Sequence, residues 1–162
     1  MNASTLVKIC TEKNITIGSC ESLTAGLFSS SVASIPGASR ALKGGIVTYW
    51  TQIKTDVVHV DPEVIAREGV VSLACACEMA QKTRDILDVD YCVSFTGNAG
   101  PDVLENKPAG TVCCAIATKT QVRTFEFHYM GLNRNKVREN VVSDMIIKLI
   151  QVINEDEENK YA

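Results

Sequence analysis

Short runs of β-branched and apolar residues alternate along this chain with longer segments of helical spacing, and that alternation leaves few folds open. Residues 15–20 form the first such run, behind a segment, 4–13, in which Leu6, Val7, Ile9 and Cys10 recur at helical spacing. Residues 24–34 read as a helix stopped by Ile35-Pro36-Gly37. A second strand is expected over 45–50 and a short helix, started by Thr51, over 51–58. Asp61-Pro62-Glu63 supplies an N-cap, a proline at the first helical position and an acidic first turn, so a helix follows to Gly69. Ser72 caps a longer helix that reaches Leu87. Residues 90–95 make a strand feeding a glycine-rich stretch, 96–110, and 111–118 and 122–129 read as a hairpin. A last helix is expected over 133–154, with 155–162 a frayed acidic tail. Together these predict one α/β domain, residues 1–154, in which helices cover both faces of a mixed central β-sheet.

The totals exclude several classes. A net charge of −3 over 162 residues argues against a general binder of nucleic acid or of anionic membrane, which needs an excess of Lys and Arg. No apolar run approaches the roughly 20 residues that span a bilayer. Residues 1–13 lack the apolar stretch and small-residue cleavage site of a signal peptide, so a cytoplasmic location is expected. Seven cysteines are spread mostly through apolar runs. Cys75 and Cys77 fall on different faces of a helix and Cys113 and Cys114 on opposite sides of a strand, which favours small buried hydrophobes in a reducing compartment over metal ligands. Only His59 and His128 could serve a histidine-based triad or metal site, and neither lies in a suggestive motif.

Four stretches could carry chemistry. Cys20-Glu21-Ser22-Leu23-Thr24-Ala25-Gly26 lies where a strand gives way to a helix, a place where ligands bind in α/β sheets and where free N–H groups can hold an oxyanion. Ser22 could be a nucleophile there, or Ser22 or Thr24 could simply cap the helix. Thr96-Gly97-Asn98-Ala99-Gly100-Pro101 offers glycines suited to a phosphate or carboxylate nest, or to an ordinary turn. Arg134, Lys136 and Arg138 crowd the first turns of the last helix, where the macrodipole prefers acids; they make either a phosphate anchor or a solvated basic face. Tyr49 and Lys54 stand at the end of the second strand and in the next helix, and a lysine of lowered pKa can act as base for a serine.

Seven motifs, in order along the chain, resemble those of the CinA C-terminal domain family. They are Glu21-Ser22-Leu23-Thr24-Ala25-Gly26, Pro36-Gly37-Ala38-Ser39, Gly44-Gly45-Ile46-Val47-Thr48-Tyr49 with Lys54 at the expected spacing, Gly69-Val70-Val71-Ser72, Thr96-Gly97-Asn98-Ala99-Gly100-Pro101, Lys107-Pro108-Ala109-Gly110-Thr111-Val112, and Gly131 through Arg138. The resemblance covers nearly the whole chain and implies nicotinamide-nucleotide amidohydrolase activity. It implies no cofactor and no metal, a small nucleotide as substrate, and a homo-oligomer. It assigns catalysis to Ser22, Tyr49 and Lys54, and substrate binding to Thr24, Gly45, Thr96, Gly97, Ala99, Gly100, Arg134 and Arg138. The expected chemistry is acyl transfer: Ser22 attacks the carboxamide, Lys54 takes its proton, Tyr49 orients Lys54 or relays the proton, and the two arginines pair with the 5′-phosphate. A nucleotide-binding module that keeps the cavity without the reaction is the alternative. Two segments depart from the family pattern: Asn98 stands where isoleucine is usual, and Asp102-Val103-Leu104-Glu105-Asn106 replaces a glycine-rich stretch. The two acids of that stretch are expected to turn toward solvent.

Overall fold

A computed structural model describes residues 2–161; Met1 and Ala162, which the sequence reading includes in the domain and its tail, lie outside the described residues. In chain order the elements are α1 (Asn2–Lys13), β1 (Ile17–Glu21), α2 (Leu27–Ala33), a single 3₁₀ turn (Ala38–Arg40), β2 (Leu42–Val47), α3 (Thr51–Asp56), α4 (Pro62–Glu68), α5 (Leu73–Leu87), β3 (Tyr91–Gly97), β4 (Thr111–Ala117), β5 (Val122–His128) and α6 (Arg134–Asn159). The strands form one mixed sheet in the order β2-β1-β3-β4-β5. β2, β1 and β3 run parallel, while β3–β4 and β4–β5 are antiparallel. The carboxyl ends of the three parallel strands therefore open on the same side.

Side-chain alternation divides the core between the two faces. On one face Ile17, Val93, Phe95, Val112, Cys114 and Ile116 pack with Leu6, Phe28, Met145 and Leu149 from α1, α2 and α6. On the other, Cys113, Ala115 and Ala117 meet Ala76 and Ala80 of α5, and Cys20 meets Cys75 and Met79. The small residues let α5 lie close to the sheet: a Cβ on Gly18 would come within 2.6 Å of Leu87. Six of the seven cysteines are buried, and all are free thiols.

Several boundaries depart from the sequence reading, and three of the departures have a clear cause. β2 begins at Leu42 rather than 45, because Leu42, Gly44 and Gly45 continue the ladder with Ile17, Gly18 and Ser19. α2 begins at Leu27 rather than 24, because Ala25 (φ 47°) and Gly26 (φ 95°) are left-handed and hold the preceding residues in turns. α6 runs on to Asn159 through the acids read as a frayed tail. Those acids have partners: the Tyr91 hydroxyl donates to Asp156 at 2.7 Å, Arg123 pairs with Glu155, and Lys160 bonds Glu157 at 2.8 Å.

Candidate active site

β1 delivers Glu21 and Ser22 to the open end of the sheet. The Glu21 side chain turns back under α2, where its carboxylate accepts from the N–H groups of Phe28 (2.8 Å) and Ser29 (3.1 Å) and from the Ser19 hydroxyl (2.8 Å). Glu21 therefore supplies the acceptor for the first amides of α2, so the alternative in which Ser22 or Thr24 caps the helix does not hold. The Ser22 hydroxyl is left free of the helix. Its N–H donates to the Phe95 carbonyl of β3 (2.9 Å), and its carbonyl accepts from Ala25 (3.0 Å), closing a tight turn over residues 22–25. Among the described residues no acceptor meets the N–H groups of Leu23 or Thr24 in that turn.

Lys54 comes from α3 and is 2% exposed. Its Nζ lies 3.0 Å from Ser22 Oγ and donates to the Thr48 carbonyl at 2.8 Å. Burial lowers the lysine pKa from its usual value, a shift opposed by nearby Cys75, Cys20 and Glu105. A lysine held against a serine hydroxyl with its charge disfavoured is the geometry of a base for a serine nucleophile. The group that orients it is the Thr48 carbonyl. Tyr49, expected in that role, is half exposed and its hydroxyl instead accepts from Arg134 at 2.6 Å.

Ser22 and Lys54 lie on a cavity of about 260 Å³ whose lining also includes Leu23, Tyr49, Val70, Thr96, Gly97, Asn98, Ala99 and Arg134. Arg134 binds the Gly100 carbonyl (2.7 Å) as well as Tyr49, so the guanidinium spans the mouth. Thr96 fixes the wall by donating to the Val70 carbonyl at 2.7 Å.

Four expected binding residues lie apart from this lining. Arg138 turns to the backbone: its Nε donates to the Leu23 carbonyl (2.9 Å) and its Nη2 to the Thr24 carbonyl (3.0 Å). Thr24 is fully buried, with its hydroxyl unpaired. Gly45 sits beside β1, where a Cβ would come within 2.6 Å of the hydroxyls of Ser19 and Ser29; it is there for close approach. Gly100 presents its carbonyl to Arg134 and gives its N–H to Asn98 Oδ1 (2.9 Å). The stretch 96–100 is accordingly not the open anion nest that its glycines suggested, since the Asn98 N–H is also taken, by the Thr111 carbonyl at 2.8 Å.

The two departures from the family pattern hold the loop together. The Asn98 amide donates to the carbonyls of Asp102 (2.6 Å) and Lys107 (3.2 Å), stapling the base of the loop. Glu105 is exposed, as expected, and its carboxylate at the same time accepts from the N–H groups of Val70 and Val71, both at 2.9 Å. Asp102 is exposed.

The CinA C-terminal domain model matches residues 2–153. A competence-damage inducible protein of Listeria monocytogenes is 45% identical over 132 residues, which is 81% of this chain and 32% of that protein. One from Levilactobacillus brevis is 42% identical over 140 residues, 86% of this chain and 34% of the relative. The chain thus spans about a third of the length of these relatives. Among solved structures, a CinA superfamily protein from Escherichia coli superposes with a TM-score of 0.89 at 28% identity, covering 93% of this chain and 88% of the other. A competence or damage-inducible protein from Enterobacter asburiae gives 0.90 at 26% identity, covering 93% and 95%. The matched model and the shared fold agree: the chain belongs to the CinA C-terminal domain family.

Proposed function

We propose that this chain is an amidohydrolase that converts nicotinamide mononucleotide to nicotinic acid mononucleotide and ammonia. The observation that carries the reading is the 3.0 Å contact of Lys54 Nζ with Ser22 Oγ in a buried wall that favours the neutral amine. Neutral Lys54 accepts the Ser22 proton as Oγ bonds to the carboxamide carbon. The tetrahedral oxyanion lies near the free N–H groups of Leu23 and Thr24, and one such donor is typically worth about 3 kcal/mol of barrier. Collapse breaks the C–N bond, Lys54 returns the proton to the departing ammonia, and water then hydrolyses the Ser22 ester with Lys54 again as base. Arg134 pairs with the 5′-phosphate in this reading, which its position on the cavity lining beside Tyr49 supports. Among the described residues no helix is long and apolar enough to cross a membrane.

Ammonia release across a panel of pyridine nucleotides tests this. Nicotinamide mononucleotide should be turned over, and Ser22→Ala should abolish turnover while unfolding like the wild type. Tight nucleotide binding without ammonia release would establish the binding-module reading instead, and an active Ser22→Ala variant would remove serine from the chemistry.

A further inference from the structure

Arg138 stands one turn beyond Arg134 on α6, yet each of its guanidinium nitrogens is engaged within the chain. Nε and Nη2 donate to the successive carbonyls of Leu23 and Thr24, and Nη1 donates to Asn135 Oδ1 at 3.1 Å. A planar guanidinium fork across two consecutive carbonyls fixes the planes of the two peptides that follow Leu23 and Thr24. In a trans peptide the C=O and the next N–H point in opposite directions. With its carbonyls drawn toward α6, the turn directs the Thr24 N–H away from that helix and aligns the Ala25 N–H on the Ser22 carbonyl. The Thr24–Ala25 peptide is also held by the backbone, its N–H on the Ser22 carbonyl and its C=O accepting from Leu27 N–H at 2.9 Å, whereas among the described residues the Leu23–Thr24 peptide has no bond but the one from Arg138 Nε.

We propose that Arg138 is a positioning residue for the oxyanion: it clamps the Leu23 carbonyl, braced on that of Thr24, so that the free Thr24 N–H of the Ser22–Ala25 turn is held where charge develops on the substrate oxygen. The inference rests on the serine-nucleophile reading above. It separates the two arginines, giving Arg134 to the nucleotide phosphate and Arg138 to the nucleophile turn. Lysine cannot replace Arg138, since one ammonium cannot hold two carbonyls in a fixed plane.

The experiment compares wild type, Arg138→Ala, Arg138→Lys and Arg134→Ala. Substrates are nicotinamide mononucleotide, its dephosphorylated riboside and the thioamide analogue of the nucleotide. Arg138→Ala should lower kcat for the amide by about 100-fold, the scale of a lost oxyanion donor, with KM little changed and equal losses for nucleotide and riboside. The thioamide rate should fall far less, because sulfur accepts hydrogen bonds weakly, so the amide-to-thioamide ratio collapses. Arg138→Lys should restore the fold and melting temperature but not the ratio. Arg134→Ala should instead raise KM for the nucleotide alone. An Arg138→Ala loss confined to nucleotide KM, or a kcat loss with the ratio unchanged, overturns the proposal.

A second readout does not depend on which amide is the substrate. A fluorophosphonate forms a bond between Ser22 Oγ and phosphorus as fluoride leaves and Lys54 takes the serine proton; its phosphoryl oxygen occupies the oxyanion position. Labelling of Ser22 should be at least about 10-fold slower in folded Arg138→Lys than in wild type, a loss of the order expected for a misplaced donor. Equal labelling rates, or no labelling of the wild type, overturn the proposal. Labelling that slows as expected in a protein inert toward every pyridine nucleotide would keep Arg138 in this role and discard the assigned substrate.

Discussion

Lys54 gives up nearly all its hydration for two hydrogen bonds, to Ser22 and Thr48, and burial lowers its pKa from the usual 10.5. Between that lowered value and 10.5 the unfolded chain binds the proton that the folded chain sheds. Folding stability therefore rises with pH through this window; the cost of burying the ammonium is fully present below the folded pKa and gone above 10.5. Turnover needs the neutral amine and should rise with pH on a limb below 10.5. Lys54→Met should abolish turnover, and its stability difference from wild type should shrink as pH rises through the window. Urea unfolding at a series of pH values reads this; a difference independent of pH would mean that Lys54 is not perturbed. Glu21 makes a different contribution at the same scale. It is 1% exposed and accepts from three donors; in Glu21→Ala the Ser19 hydroxyl would keep its 2.8 Å contact with Ser29 Oγ, but the Phe28 and Ser29 amides would lose their carboxylate. At about 1–3 kcal/mol for each unsatisfied group, the loss should be on the order of 3–5 kcal/mol, lowering Tm by roughly 10 °C or more. Glu21→Gln, which keeps one acceptor oxygen, should lose less. The positions of Ser22, Tyr49, Lys54, Thr96 and Arg134 around one cavity were legible from motif order. The tasks of Glu21, Asn98 and Arg138 were not, because each is set by a backbone group far along the chain that no local spacing reveals.

At the scale of elements, strong local signals were legible. Asp61 and Ser72 cap α4 and α5 with the expected side-chain bonds, to Glu63 and Cys75, because those signals are contained within one turn. β2 and α2 were displaced where Gly44, Gly45 and Gly26 remove local preference and leave ladder pairing and turn geometry to decide. The loop after β3 shows the same dependence. Glu105 joins it to the segment between α4 and α5, and that segment supplies Val70 to the cavity wall. The Glu105 carboxylate thus acts as a tie between two walls rather than as a charge presented to the nucleotide. Glu105→Ala should speed hydrogen exchange at the Val70 and Val71 amides by about 10-fold or more, the loss of one or two charge-assisted bonds, while global Tm changes little. Unchanged exchange at those two amides would show that the carboxylate does not hold them.

At the scale of the whole molecule, α6 links the site to the far end of the sheet. Its first turns carry Arg134 and Arg138, its middle buries Val141, Met145 and Leu149 against the sheet, and its last turns carry Glu155, Asp156 and Glu157. A mixed sheet covered by helices was legible because helical and strand periods alternate cleanly, but the helix end was not. Acids at a helix C-terminus oppose the macrodipole, and by local rules they fray. What holds them is tertiary: Tyr91 at the start of β3 donates to Asp156, Arg123 of β5 pairs with Glu155, and Lys13 at the end of α1 lies 3.9 Å from Glu157. Three separate elements are thereby tied to one helical turn. Removal of residues 155–162 would leave the Tyr91 hydroxyl without its carboxylate, a loss of about 1.5–3 kcal/mol for a bond to a charged acceptor. The exposed Arg123–Glu155 pair adds at most about 1 kcal/mol. At about 2–4 °C per kcal/mol for a chain of this size, Tm should fall by roughly 5–10 °C. Because Arg134 and Arg138 lie at the opposite end of the helix, kcat at a temperature well below the transition should be unchanged. Asp156→Asn should reproduce only the part of the loss that belongs to Tyr91. A truncated chain that melts like the full one would show that the last turns of α6 fray in solution. A truncated chain that stays folded yet loses kcat would show that the two ends of α6 are coupled.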